Sequence, residues 1–544
     1  MNLITFLNQR KNILILTVIA LFLASIQLYS FSVTSFPLTG DDTIIHYEYI
    51  KEIVALGRID MQGFYPFLMH IIVAFLYQIT NIPIEYLLFG TTVFVVSLLP
   101  FSFYYLAKVL TKNEKVSLLI AIITPLACVF GLSPYRWGGY PFLWGLTFLW
   151  FYLGFTISSL ESKKIIKILI SVILAVGLFL IHSPELVTSA LFLTIYFIVN
   201  WKKSIKDINL YLWIILNLSV FTLIYYLIHT IFPVTVGFWG LSYLPTSFFK
   251  WLQDFILMGP GYLVSSVNLT LLVFCIWGIL TRLHRKNLES SDKITFTFLV
   301  LLLLIYLDIS TLHLFHFLYK FTFPWADQFR FFEFFTFPIA YFASFGLQSF
   351  ITWYRNSDRH LQKSMWLYLT IVFVLVPIIL FSIVLKTNVI KNSPTKEVVE
   401  SIKWIDNNLE EGLILNDICW GYSAGQKVYR AVDSASWINV LTKSKVTFPY
   451  IETASNEKMQ KRLYVLENIQ SIKQDKLVQQ YIQEENLQYV YWSENVRQNH
   501  HHEYLNMNFL KQKDIFSQIY SSSAQCNEEV FENCVYIFQI NSDF

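Results

Sequence analysis

Long apolar runs separated by short polar loops dominate this chain. The first occupies residues 12–32, and others of similar length lie at 84–110, 116–133, 141–160, 165–181, 186–200 and 210–232. Four more follow at 263–283, 294–316, 331–350 and 365–385. About 20 apolar residues in a helix cross a bilayer, so the pattern predicts an α-helical polytopic membrane protein with about eleven transmembrane helices. The run at 64–80 is ambiguous, since it could span or lie along the surface as an amphipathic helix. Charge decides: if it does not span, the basic loops at 10–11, 112–115, 163–164, 202–206, 282–286 and 355–363 all fall on one side. The positive-inside rule makes that side cytoplasmic, and residues 64–80 become an interfacial helix of the first outer loop.

With this topology the outer side collects the loops 40–62, 134–140, 182–185, 233–262 and 317–330, together with the tail from 386. The chain divides into a membrane domain, 1–385, and a small extracytoplasmic α/β domain, 386–544. In the tail, Pro394 opens a predicted helix that places Val398, Ile402 and Ile405 on one face, and strand-like runs follow at 413–415, 487–492 and 534–540. The first apolar run follows Arg10 and Lys11 as a signal peptide would. It lacks a small-residue cleavage site and is read as an uncleaved helix.

Composition narrows the function classes. Of 544 residues 55% are hydrophobic and only 14% charged, which excludes an ordinary soluble enzyme. A net charge of +3, with its basic residues in short loops, excludes nucleic acid as a partner. Cys128 and Cys275 sit in apolar runs, whereas Cys419, Cys526 and Cys534 lie in the tail without metal-ligand spacing. A disulfide between Cys526 and Cys534 and a pair of free thiols both fit an outer tail. The run His500-His501-His502 has loop surroundings and no ligand spacing.

The acidic pair Asp41-Asp42 lies just beyond the first span, ahead of an amphipathic stretch with Ile44, Ile45, Tyr49, Ile53 and Leu56. Helix capping accounts for one aspartate. A second beside it, at the lip of a membrane, is a candidate general base or divalent-ion ligand. Candidate basic partners on the outer side are Arg136, His182 and Arg330. Interfacial snorkelling beside Tyr135 and Trp137 is the plainer reading of Arg136. For His182, ahead of Pro184 and Glu185, it is a structural hydrogen bond. Asp327, Arg330 and Glu333 could form an internal ion pair, although burying such a cluster among aromatics is costly. Asp308 near His313 and His316 is read as helix packing. Trp239, Trp251 and Trp325 could stack on sugars but suit an aromatic belt equally.

In order, the chain has an uncleaved first helix, acids in the first outer loop, Gly57-Arg58-Ile59-Asp60, then Tyr65-Pro66-Phe67-Leu68-Met69-His70 heading a surface helix, many helices, and an outer C-terminal domain. This order resembles the GT-C superfamily of membrane glycosyltransferases, distantly similar to protein mannosyltransferases and oligosaccharyltransferase catalytic subunits. The resemblance implies transfer of a hexosyl or pentosyl group from a polyprenyl-phosphate-linked donor to an extracytoplasmic glycan, lipid or protein acceptor at the cell membrane. It implies Asp41 or Asp42 as the catalytic carboxylate, with Arg136, His182, Arg330, Asp327, Tyr65 and His70 as candidate substrate or phosphate contacts. Mg²⁺ or Mn²⁺ could join the acidic pair. However, Ser133-Pro134-Tyr135-Arg136-Trp137-Gly138-Gly139 carries no second acidic motif, and the transfer needs no metal. The oligosaccharyltransferase acceptor motif Trp-Trp-Asp-Tyr-Gly is also absent, with Cys419-Trp420-Gly421-Tyr422 in a comparable region, so asparagine glycosylation is not predicted. A transporter or flippase of lipid-linked sugars is the rival from another class, and would carry repeats or paired broken helices that are not found. A noncatalytic scaffold binding a surface polymer is the third reading.

Overall fold

The computed structural model describes residues 3–32, 42–57, 67–127, 138–162, 164–204, 206–231, 269–284, 288–307, 332–356, 394–423, 426–431, 434–448, 457–494, 504–522 and 534–541, with 34, 36–38, 135 and 452–453. They form two compact units, one of residues 1–30, 58–135 and 139–387, the other of 31–57, 136–138 and 388–544.

The first unit is helical. Its elements are α1 (Leu3–Phe31), α3 (Leu68–Thr80), α4 (Ile84–Ser97), α5 (Leu99–Thr111), α6 (Glu114–Ala127), α7 (Tyr140–Ser162), α8 (Ile165–Ile181) and α9 (Ser183–Val199). After them come α10 (Trp201–Ser204), α11 (Ile208–Ile231), α12 (Leu269–Leu283), α13 (Ser290–Leu307) and α14 (Thr336–Arg355). Between α1 and α3 the chain forms α2 (Asp42–Leu56), which belongs to the second unit. Each expected span has a helix over its described part; the last, 365–385, lies outside the described residues. Among the described residues three stretches are long and apolar enough to cross a membrane: Lys11–Tyr29, Ile84–Thr111 and Tyr140–Ser162. Shorter apolar helices include Ile165–Ile181, Pro184–Val199 and Leu271–Leu283. Within the stretch 84–111 the helix is interrupted for one residue at Leu98, between α4 and α5, where Pro100 in the first turn of α5 cannot donate to an earlier carbonyl. The 13 residues of α3 rise about 20 Å, short of the roughly 30 Å hydrocarbon core.

Aromatic side chains and close helix crossings fill the interior of this unit. Trp150 of α7 stacks on Phe337 of α14 at 5.2 Å, and Phe103 of α5 meets both edge-on at 5.6 and 5.4 Å. Trp144 donates through Nε1 to Thr92 Oγ1 at 3.1 Å and ties α7 to α4. Helices α12 and α14 approach so closely that a Cβ on Gly278 would overlap the Phe342 carbonyl, and one on Gly346 would overlap that of Phe274. Small residues at such crossings let backbones pack where lipid gives no hydrophobic drive. Gly346→Val is therefore expected to force the two helices apart at a cost of about 1–3 kcal/mol. A melting temperature in detergent equal to the parent's would contradict this crossing.

Below the crossing lies a buried ion pair. Arg282, near the C-terminus of α12 and 4% exposed, donates through Nε to both Asp292 carboxylate oxygens at 2.9 Å and through Nη2 to Oδ2. Tyr341 donates to Asp292 Oδ1 at 2.9 Å, and the guanidinium lies 4.5 Å from the Phe345 ring centre. These contacts satisfy both charges within the protein.

In the second unit, α15 (Lys396–Asn408) is capped by Thr395, and Val398, Ile402 and Ile405 are buried, as the spacing predicts. Strands β1 (Leu413–Leu415), β2 (Ile418–Ser423) and β3 (Gln426–Ala431) precede α16 (Ser436–Leu441), β4 (Lys445–Val446) and β5 (Glu452–Thr453). They are followed by α17 (Glu457–Asn468), α18 (Lys476–Glu484), β6 (Leu487–Ser493), α19 (Met507–Leu510), β7 (Phe516–Ser521) and β8 (Val535–Ile540). A mixed five-stranded sheet runs β4-β1-β6-β8-β7, with β1 parallel to β4 and β6 and with β8 antiparallel to its neighbours. The hairpin β2-β3 pairs with β5 in a separate antiparallel sheet. Leu415, Val465, Ile469, Val478, Val490 and Leu505, all fully buried, form the core under the larger sheet. At the end of β1 the buried Asp417 carboxylate accepts from the backbone N–H groups of Ile418, Tyr504 and Leu505, which locks the 504–505 segment to the strand. Cys534 is disulfide-bonded.

Candidate active site

Two polar constellations hold Asp42 and His182, one in each unit. The first is built on α2. Asp42 is the first residue of this helix, where a carboxylate meets unpaired N–H groups and the positive end of the helix dipole. Thr43, Ile44, His46, Tyr47 and Ile50 make its buried face. Gly57, at φ +62°, ends the helix in the left-handed conformation with its N–H on the Ile53 carbonyl. Gly138, at φ +88°, packs against the helix start: a Cβ there would overlap Thr43 and come 3.2 Å from the Asp42 carbonyl carbon. Only glycine at 138 lets the backbone approach the start of α2 this closely. Gly138 thus packs directly on the start of α2.

Further along α2, Lys51 donates from Nζ to the Val440 carbonyl at 2.7 Å, in the last turn of α16. Phe36 meets Trp437 edge-on at 5.1 Å, so the linker before α2 and the helix itself are held by the same short element. Burial raises the Glu48 carboxyl above the usual carboxylate range, with Lys445 and Lys51 opposing and Glu52 reinforcing the shift. Burial likewise lowers the Lys51 ammonium, assisted by Lys445.

The second constellation lies where α8 passes into α9. His182 has an extended backbone (φ −164°, ψ 109°) and interrupts the two helices for one residue, with Pro184 in the first turn of α9. Its Nδ1 lies 2.5 Å from Oε2 of Glu185, whose carboxylate is fully buried. Phe142 of α7 meets the imidazole edge-on at 5.4 Å, and Phe334 lies 5.9 Å from Phe142. Phe334 belongs to the 3₁₀ turn Phe332–Phe335, which follows Arg330 by two residues. At the same end of α7, Tyr140 meets Tyr135 edge-on at 5.7 Å, and Tyr135 donates to Gln27 of α1 at 2.7 Å.

Asp42 and His182 therefore stand in defined settings, and His70 is fully buried on α3 beside Met69, Val73 and Ala74. Asp41, Tyr65, Arg136, Asp327 and Arg330 lie outside the described residues, as do Asp308 and the 500–502 histidine run. Among the described residues no group of three or more His, Cys, Asp or Glu converges as a metal site would require. The structural hydrogen bond expected for His182 is present, and its partner is Glu185, three residues on across the helix start. Sequence reasoning missed Gly138, whose role depends on a segment about a hundred residues earlier in the chain.

The fold resembles that of GT-C membrane glycosyltransferases. The Archaeoglobus fulgidus oligosaccharyltransferase, solved with a tethered acceptor peptide, aligns over 88% of this chain and 69% of its own with a TM-score of 0.57 at 12% identity. The arabinofuranosyltransferase AftD from Mycobacteria aligns over 97% of this chain with a TM-score of 0.56 at 11% identity. Its R1389S mutant aligns over 96%, at 0.55 and 11%. This chain covers only 40% and 41% of those two AftD chains. Residues 10–522 match DUF6541, described as a family of unknown function, and the chain belongs to that family. No curated protein matches it by sequence.

Proposed function

We propose that this protein is a membrane glycosyltransferase that moves a sugar from a polyprenyl-phosphate carrier to an acceptor on the extracytoplasmic side. The observation that carries the reading is Asp42 at the start of α2, directly after the first span, with Gly138 packed against that helix start. The GT-C fold supports it. The bias of basic loops favours a cytoplasmic N-terminus, about eleven spans and an outer tail. The disulfide at Cys534 agrees with an oxidising compartment for that tail.

In the reaction, an acceptor hydroxyl oxygen attacks the anomeric carbon while Asp41 or Asp42 takes its proton. The bond from that carbon to the phosphate oxygen breaks, and polyprenyl phosphate leaves with the electron pair. Arg136 and Arg330 hold the phosphate, because a planar guanidinium pairs two oxygens and stays charged near lipid. A divalent cation at the acidic pair would add charge to the same phosphate, and no step requires it.

The test incubates protein reconstituted in sealed liposomes with a set of radiolabelled polyprenyl-phosphate sugars and candidate acceptors. Transfer from at least one donor is expected. No transfer from any, with labelled lipid instead crossing the bilayer, would favour the flippase.

A further inference from the structure

We propose that Glu185 is a positioning residue that holds His182 so that its Nε2 donates to a phosphate oxygen of the lipid-linked donor; this rests on the transferase reading above. The imidazole is fixed by three things. Its backbone is pinned between two helices, its Nδ1 lies 2.5 Å from Glu185 Oε2, and its ring packs edge-on against Phe142. An imidazole with one nitrogen on a carboxylate has a single remaining polar atom, and its direction is then set by the ring plane. With Nδ1 held at Glu185, Nε2 is the atom left to meet an anion.

The setting is built for the carboxylate. A Cβ on Gly145 would stand 2.8 Å from the Glu185 carboxyl carbon, so glycine at this position of α7 leaves the room the carboxylate fills. Phe334 packs on the same Phe142 at 5.9 Å, so the ring that holds the imidazole is itself held from a second side. A pair that only stapled the α8–α9 break would need neither an imidazole nor a particular ring direction.

The test measures binding of undecaprenyl phosphate to the full-length protein in nanodiscs, with undecaprenol and inorganic phosphate as controls. His182→Ala is expected to weaken binding about tenfold or more, the scale of one charge-assisted hydrogen bond. Glu185→Gln should weaken it several-fold, and the double variant should be no weaker than His182→Ala, because Glu185 acts through the imidazole. Gly145→Ala, which keeps both side chains but takes the carboxylate's space, should behave as Glu185→Gln does. Undecaprenol binding should not change, and competition by inorganic phosphate would assign recognition to the phosphate itself rather than to the lipid. His182→Gln is run in parallel, so that a folding defect in the alanine variant does not decide the result. Additive losses, or variants that bind as the parent does, would overturn the proposal and leave the transferase reading intact. A parent that does not bind undecaprenyl phosphate would overturn both.

Discussion

Exchange of Asp41 and Asp42 together for asparagine is expected to lower sugar transfer by about 10²- to 10⁴-fold, the usual contribution of a positioned general base. Asparagine separates the two roles open to an acid at this place. It caps a helix about as well as aspartate, so α2 should keep its start and its packing on α16 through Lys51 and Val440. It cannot accept a proton from an acceptor hydroxyl. The expected result is therefore a protein with the parent's melting temperature and with bound donor that is not turned over. The two single variants then show which carboxylate acts, and transfer at the parent's rate in the double variant would refute the base.

Asp292→Ala is expected to produce the largest loss of stability, about 3–5 kcal/mol. The carboxylate is fixed by Arg282 and by the Tyr341 hydroxyl, and Arg282 is 4% exposed, so removing the acid leaves a buried guanidinium whose remaining carboxylate contact is the solvent-exposed Glu289 at 3.1 Å. The penalty comes from that stranded charge rather than from the pair's net worth. Replacement of both partners, as Arg282→Met with Asp292→Leu, should recover most of the loss. Thermal unfolding in detergent checks both variants, and an Asp292→Ala protein as stable as the parent would contradict the buried pair.

Features that depend on local pattern were legible in the sequence. The lengths of the apolar runs foretold where helices lie, and the spacing of Val398, Ile402 and Ile405 foretold α15 and its buried face. The runs at 413–415, 487–492 and 534–540 became β1, β6 and β8. The hairpin β2-β3 was not legible, since Ile418-Cys419-Trp420-Gly421-Tyr422 does not alternate cleanly between apolar and polar residues. Arg282 read only as one of the charges that orient the chain, because its partner Asp292 lies ten residues on, across a loop. The attachment of α2 to α16 links residues nearly four hundred positions apart, and no local pattern records such a contact. At the candidate site, the positions of Asp42 at a helix start and of His182 at a helix end could be read from residue type and place. The glycines at 138 and 145 could not, since what they provide is space for a distant segment.

The central claim is that the outer acids and the guanidinium groups serve one lipid-phosphate site, and a cryo-electron-microscopy structure with undecaprenyl phosphate bound tests it most directly. The account predicts the phosphate within hydrogen-bonding reach of Arg136 or Arg330, with the Asp41 and Asp42 carboxylates facing the same cavity from the outer side. A phosphate bound away from these arginines, or an acidic pair opening to the cytoplasm, would contradict it.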